Sequence, residues 1–168
     1  DSRTLFPLQA ALGYNLSQGL FVGAHNLVVE GVTDFWMISS ISEYLREQGK
    51  PFLHPDLTIT PAGGAQKISY MVALLTSEEM NVLVLLDEER DAKSTKDELV
   101  KTKLISEENV VFVSEWNQPR ANEADIEDLL DEQVFASTIN EAYANELKGK
   151  NLTVNPNIPR IAKRYEQA

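Results

Sequence analysis

The apolar runs of the chain predict an α/β fold: a mostly parallel four-stranded sheet with helices on both faces. Three observations carry this. Four short β-rich runs, Asn26–Glu30, Leu57–Thr60, Asn81–Leu86 and Val110–Val113, alternate with stretches whose apolar residues recur at helical spacing. The run NVLVLL (81–86) is apolar almost throughout, as in a strand covered on both faces. Each connection is long enough for the right-handed crossover that parallel strands need.

The elements follow in order. Leu5–Val22, apolar and punctuated by Gly13 and Gly19, reads as one or two short helices leading into the domain. NLVVE (26–30) is a short strand ending at an acid, with a turn at Gly31. Thr33–Gln48 is helical: Thr33 or Asp34 can cap it, Phe35, Ile38, Ile41 and Leu45 line one face, and Gly49 stops it. LTIT (57–60) is a strand, followed by Pro61 and the pair Gly63-Gly64. Ile68–Leu75 is helical. NVLVLL ends at Asp87, and a polar stretch (88–95) leads to a helix over Lys96–Lys103. VVFV (110–113) is the fourth strand. After a loop over 117–122, an acid-rich helix spans Glu123–Leu130 and a second spans Gln133–Leu147. A loop with Pro156 and Pro159 leads to a short helical tail, Arg160–Ala168.

Composition narrows the chemistry. At 168 residues the chain has the length of one domain, and 43% apolar with 24% charged residues excludes a disordered acidic tail or a low-complexity segment. No cysteine is present, so disulfides, thiol nucleophiles and thiolate metal sites are excluded. Two histidines, His25 and His54, cannot make a multi-histidine zinc site. Any metal is held mainly by carboxylates, which suits Mg²⁺ or Mn²⁺. No apolar run reaches membrane-span length and no signal peptide opens the chain, so a cytoplasmic protein with no membrane partner is expected. The start at Asp1 rather than Met is expected of a piece of a longer protein. A net charge of −11 repels nucleic acid unless cations intervene.

Ligands of parallel sheets sit at the carboxyl ends of the strands. Three acidic clusters are expected there: Glu30 with Asp34, Asp87 with Glu89, and Asp125, Glu127 and Asp128 after the fourth strand. Like charges so close call for protons or cations, and two divalent ions about 4 Å apart can drive phosphodiester cleavage. Acids at helix starts also meet the macrodipole and cap, so Asp34, Asp125 and Asp128 have a structural reading too. Glu30, ending a strand before a glycine turn, gains nothing from capping. Gly63-Gly64 reads either as a tight strand-to-helix turn or as a backbone approach to phosphate.

Together these residues resemble a known pattern. LVVEGVTD (27–34), TPAGGAQKI (60–68) and VLVLLDEE (82–89) look like a Toprim domain, the catalytic module of bacterial primases, topoisomerases and several nucleases. FPLQAALGYNLSQGLFVGAHNLVVEG (6–31) and ADIEDLL (124–130) resemble the carboxy-terminal region of the overcoming-lysogenization-defect (OLD) family of ATP-dependent nucleases. The resemblance runs from about Leu5 to about Tyr143 and more weakly over the tail. It implies three parts: a leading helical segment (1–25), a Toprim catalytic domain (26–148) and a tail carrying a basic residue (149–168).

The resemblance also implies roles. Glu30 would be a metal ligand and general base, with Asp34 beside it on the metal. Asp87 would bridge two ions, and Asp125 and Glu127 would complete the second. Lys163, with Arg160 and Arg164 as neighbours, would offset charge at the scissile phosphate. Where Toprim proteins often show Asp-x-Asp, this chain reads Asp87-Glu88-Glu89, so Glu89 would bind directly or through water, and the usual following glycine is replaced by DAKSTK (91–96).

The function expected is Mg²⁺- or Mn²⁺-dependent DNA endonuclease activity by a two-metal carboxylate site. Two such ions would add four positive charges to a chain at −11. By resemblance, an upstream ATPase domain of the same polypeptide and a homodimer would supply further grip on DNA, and phage defence is the implied role. No GxxxxGK[ST] occurs, so ATP would act only through a domain absent from this chain. No tyrosine-bearing DNA-cleavage domain is evident, which favours nuclease over topoisomerase. The alternatives are a primase-like nucleotidyl transferase, using the same carboxylates, and a degenerate, non-catalytic Toprim module.

Overall fold

A computed structural model describes residues 23–87, 92–116, 123–150 and 152–168. The described residues divide into two compact units, the first holding 23–86 and 92–111, the second Asp87, 112–116, 123–150 and 152–168.

The first unit carries the sheet. Strands β1 (His25–Val29), β2 (Leu57–Pro61), β3 (Asn81–Leu86) and β4 (Val110–Phe112) lie in the order β2-β1-β3-β4, all parallel. The register pairs Leu27 with Ile59 on one side and with Leu83 on the other. Helices α1 (Val32–Glu47), α2 (Ile68–Ser77) and α3 (Ala92–Lys101) make the three crossovers, and a 3₁₀ turn, Ala65–Lys67, precedes α2. The period of two along each strand sorts its side chains. Leu27, Val29 and Ile59 pack with Phe35 and Ile38 of α1. Val28, Val82, Val84 and Leu86 fall on the opposite face and are buried, as are Ile68, Met71, Val72 and Leu75 of α2. NVLVLL is apolar on both sides of its pleat because both faces are covered.

Two polar side chains, Asn26 and Thr60, are fully inside this core. The Asn26 amide donates to the Gly23 carbonyl at 2.6 Å, while its oxygen accepts from Gly23 N–H at 3.2 Å and from the Thr60 hydroxyl at 3.1 Å. These bonds satisfy the buried amide and pin the start of β1.

The crossover from β1 leads to β2 on one side, and the crossover from β3 leads to β4 on the other. The chain therefore reverses its winding between β1 and β3, and the carboxyl ends of these two strands frame the switch point where such sheets bind ligands. Glu30 is the residue after β1 and Asp87 the residue after β3.

The second unit contains 3₁₀ turns Val113–Glu115 and Ile126–Leu129, helices α4 (Glu132–Ala142) and α5 (Ala144–Leu147), and the tail helix α6 (Ile161–Glu166). Here the structure departs from expectation. The acid-rich segment 123–130 is a single 3₁₀ turn rather than a helix: Leu130 is extended, and Asp131 caps a new helix by accepting from Gln133 N–H at 2.8 Å. The helix expected over 133–147 is broken at Tyr143, where neither Gly nor Pro announces an end. Smaller shifts occur elsewhere. Helix α3 starts at Ala92 rather than Lys96, Val113 begins a 3₁₀ turn instead of closing β4, and Arg160 is the residue before α6 rather than within it. The expected helices over 5–22 lie outside the described residues. Among the described residues no helix is long and apolar enough to cross a membrane.

Candidate functional site

At the carboxyl end of β1 the backbone fixes Glu30. Its carbonyl oxygen accepts from the N–H groups of both Gly63 and Gly64, at 3.1 and 2.7 Å, and Ala62 N–H donates to Val29 at 2.9 Å. The turn after β2 thus closes over the end of β1. Gly63 has φ +84° and Gly64 φ +122° with ψ 152°, a conformation that essentially only glycine adopts. Of the two readings of this glycine pair, the structure gives the strand-to-helix turn: both N–H groups are spent on Glu30. Lys67, at the end of the 3₁₀ turn, lies over it, its Nζ 3.8 Å from where a Cβ on Gly63 would stand. Lys67 is a basic residue near the Glu30 backbone that sequence reading passed over, although it stands inside the quoted motif TPAGGAQKI.

Asp34 sits in the first turn of α1. Its Oδ2 accepts from Gly31 N–H at 2.8 Å, so it caps the helix from inside its own first turn. It is buried, and burial pushes its carboxyl above the ordinary aspartate range, against the opposing pull of the Gly31 and Glu30 N–H groups. A carboxylate in that position is relieved by a proton or by a cation. Glu30 is half-buried just before it. The donor set in this unit is hard carboxylate oxygen, which fits Mg²⁺ or Mn²⁺ and not a soft metal.

In the second unit Asp87 is half-buried, and Glu89 lies outside the described residues. Asp125 and Asp128 are bound to the tail. The Asp125 carboxylate pairs with the Arg160 guanidinium at 2.9 Å, both side chains about nine-tenths buried. Asp128 accepts Asp125 N–H on Oδ2 at 2.8 Å and Ile161 N–H on Oδ1 at 2.7 Å. Ile161 N–H is one of the first donors of α6, which no carbonyl within the helix can reach, so Asp128 caps that helix from a distant part of the chain. Glu127 is half-buried in the same turn.

Of the tail cations, Arg164 is also structural. It donates to the carbonyls of Ile158 at 2.6 Å and Pro159 at 3.1 Å and pairs with Glu132 at 3.1 Å. Lys163 is half-buried on α6. The Asp125–Arg160 pair was not legible as such: it joins residues 35 positions apart, and no local pattern announces it.

The structure thus brings Glu30 and Asp34 together at one helix start and Asp125, Glu127 and Asp128 together in one turn. Among the described residues no group of three or more acids and histidines is arranged to hold a metal ion. Residues 21–88 match the family model described as overcoming lysogenization defect protein-like, TOPRIM domain. The match spans β1 to β3 and includes Glu30, Asp34 and Asp87, whereas Glu89, Asp125, Glu127 and Lys163 lie beyond it. No curated protein and no solved structure matches the chain.

Proposed function

We propose, from the match of residues 21–88 to the OLD-like Toprim model, that the chain hydrolyses DNA phosphodiester bonds with the help of two divalent cations. Toprim domains as a class bind divalent metals and act on nucleic acids. The observation that carries the proposal is positional. Glu30 and Asp87 are the residues that follow the two strands framing the switch point of the sheet.

Bound Mg²⁺ or Mn²⁺ ions would neutralise charge on the phosphate and make the attacking water more acidic. Glu30, Asp34 and Asp87 would hold the first ion, with Asp87 shared with the second, and Glu89, Asp125 and Glu127 would complete the second. Glu30 would also take the proton of the attacking water. Gly31 N–H holds one oxygen of the Asp34 carboxylate, Oδ2, in place. Lys163 would meet the negative charge that gathers on the phosphate in the transition state. Asp125 joins the ligand set only by sharing its carboxylate with Arg160 or releasing it. The ATPase domain, the homodimer and a role against phage belong to the same proposal and rest on the family resemblance.

The test is a plasmid assay. Supercoiled DNA is incubated with the purified chain in EDTA, Mg²⁺, Mn²⁺ or Ca²⁺, beside Glu30→Gln and Asp87→Asn. Nicked or linear product with Mg²⁺ or Mn²⁺, reduced by about 10²–10⁴ in Glu30→Gln and lost in Asp87→Asn, is expected. Product that survives both substitutions refutes the assignment. The pairing of Asp125 with Arg160 favours one second reading, a Toprim module that binds metal without hydrolysis. On that reading Mn²⁺ binds the chain, as calorimetry would register, but no DNA is cut by the chain or by a longer protein carrying the ATPase domain.

A further inference from the structure

We propose that the turn carrying Lys148 and Lys150 is a contact for the DNA backbone. The proposal rests on the DNA reading above for the identity of the polyanion. A chain with net charge −11 must meet a polyanion where its own cations are concentrated and unopposed. One stretch comes nearest to that condition, lying between Glu146 and Glu166. Residues 147–165 contain five of the chain's 15 lysines and arginines and none of its 26 acids. At the average density of the chain, such a stretch would hold about three acids.

The five cations divide in the structure. Arg160 and Arg164 are spent inside the second unit, on Asp125 and on Glu132 with the Ile158 and Pro159 carbonyls. Lys148, Lys150 and Lys163 make no ion pair among the described residues, and Lys148 and Lys150 are exposed. Lys148 at φ +50° and Gly149 at φ +79° turn the chain sharply between the two lysines. The turn lies near the tail helix. Leu147 and Leu152, which flank it, line the same cavity of about 390 Å³ as Ala162 and Tyr165 of α6. Ala162, Tyr165 and Glu166 face that cavity, and at about 100° per residue Lys163 is turned away from it. The loop that follows is uncharged up to Arg160 and rich in asparagine. Its backbone turns at Asn155, whose side chain accepts from Asn157 N–H at 3.0 Å.

Each phosphate neutralised on duplex DNA releases about 0.9 counterion, so binding weakens with salt in proportion to the contacts made. Fluorescence anisotropy of a labelled duplex, in EDTA and over a salt series, reads this without cleavage. For Lys148→Gln/Lys150→Gln the log–log salt slope should fall by about two, with binding weakened roughly tenfold or more at ~0.1 M salt. Lys148→Arg/Lys150→Arg should keep both. Lys101→Gln/Lys103→Gln, which removes the same charge from α3 and the turn after it, should change the slope by less than half as much. An unchanged slope in Lys148→Gln/Lys150→Gln, an equal loss in the α3 pair, or no duplex binding by the parent chain overturns the proposal. A chain that binds through this turn but cuts nothing refutes hydrolysis and keeps the contact. A chain that cuts while ignoring Lys148 and Lys150 does the reverse.

Discussion

Replacing Arg160 by methionine separates two functions that one carboxylate is asked to serve. Methionine retains most of the length and apolar bulk of the arginine stem while removing its charge. Asp125 and Arg160 meet at 2.9 Å with about a tenth of each side chain exposed, so the change leaves the Asp125 carboxylate buried without that cation. Removing one partner of a buried pair costs about 3–5 kcal/mol, because the charge that stays behind keeps its desolvation penalty. Asp125→Asn takes this carboxylate from the guanidinium instead and should cost a similar amount. The double variant should cost clearly less than the sum of the two, with a coupling of about 1–3 kcal/mol. Urea unfolding of the four chains in EDTA, followed by far-ultraviolet circular dichroism, closes the cycle, and hydrogen exchange at the Ile161 amide reports whether α6 has come loose. Single losses below about 1 kcal/mol, or costs that simply add, would refute the account of Arg160 as the holder of Asp125. Repeating the cycle in Mg²⁺ then asks the second question. If Asp125 also serves a cation, the penalty of Arg160→Met shrinks when the metal is present.

Two further outcomes are expected. Gly64→Ala places a Cβ in a conformation that essentially only glycine adopts. It should cost about 1–3 kcal/mol in urea unfolding, with Gln66→Ala in the same turn as the near-neutral comparison. Asp34 sets a pH dependence in the metal-free chain. Because burial raises its carboxyl, the folded state keeps a proton that the unfolded state has released. Stability therefore falls as pH rises from the ordinary aspartate range through the raised value, and levels off above it. Asp34→Asn, whose amide oxygen still accepts from Gly31 N–H, should flatten that fall in urea midpoints measured in EDTA from about pH 4 to 7. A variant with the parent's pH profile would show that Asp34 is not its source.

The strands and the first crossover were legible because their signals are local. NVLVLL announces a strand covered on both faces, and Phe35 and Ile38 recur at the spacing that turns them onto Leu27, Val29 and Ile59. Glu30 and Asp87 were legible for the same reason: each directly follows a strand whose end is marked. Asp34 carried two readings in the sequence, and its bond to Gly31 N–H shows the capping one at work while leaving the metal one open to experiment. The second unit was read less well. Its acid-rich 3₁₀ turn is held by Asp128 reaching Ile161 and by Asp125 reaching Arg160, more than 30 positions away, and such partners leave no period in the sequence. The same distance hides the role of Arg160, which in the sequence stands only as a neighbour of Lys163.

The two glycine N–H groups on the Glu30 carbonyl have a consequence for how chemistry can change at this place. They grip residue 30 by its main-chain carbonyl, and those two bonds do not depend on which side chain stands there. A substitution at 30 therefore leaves both bonds and the turn they close available, and what it changes is the chemistry presented beside them.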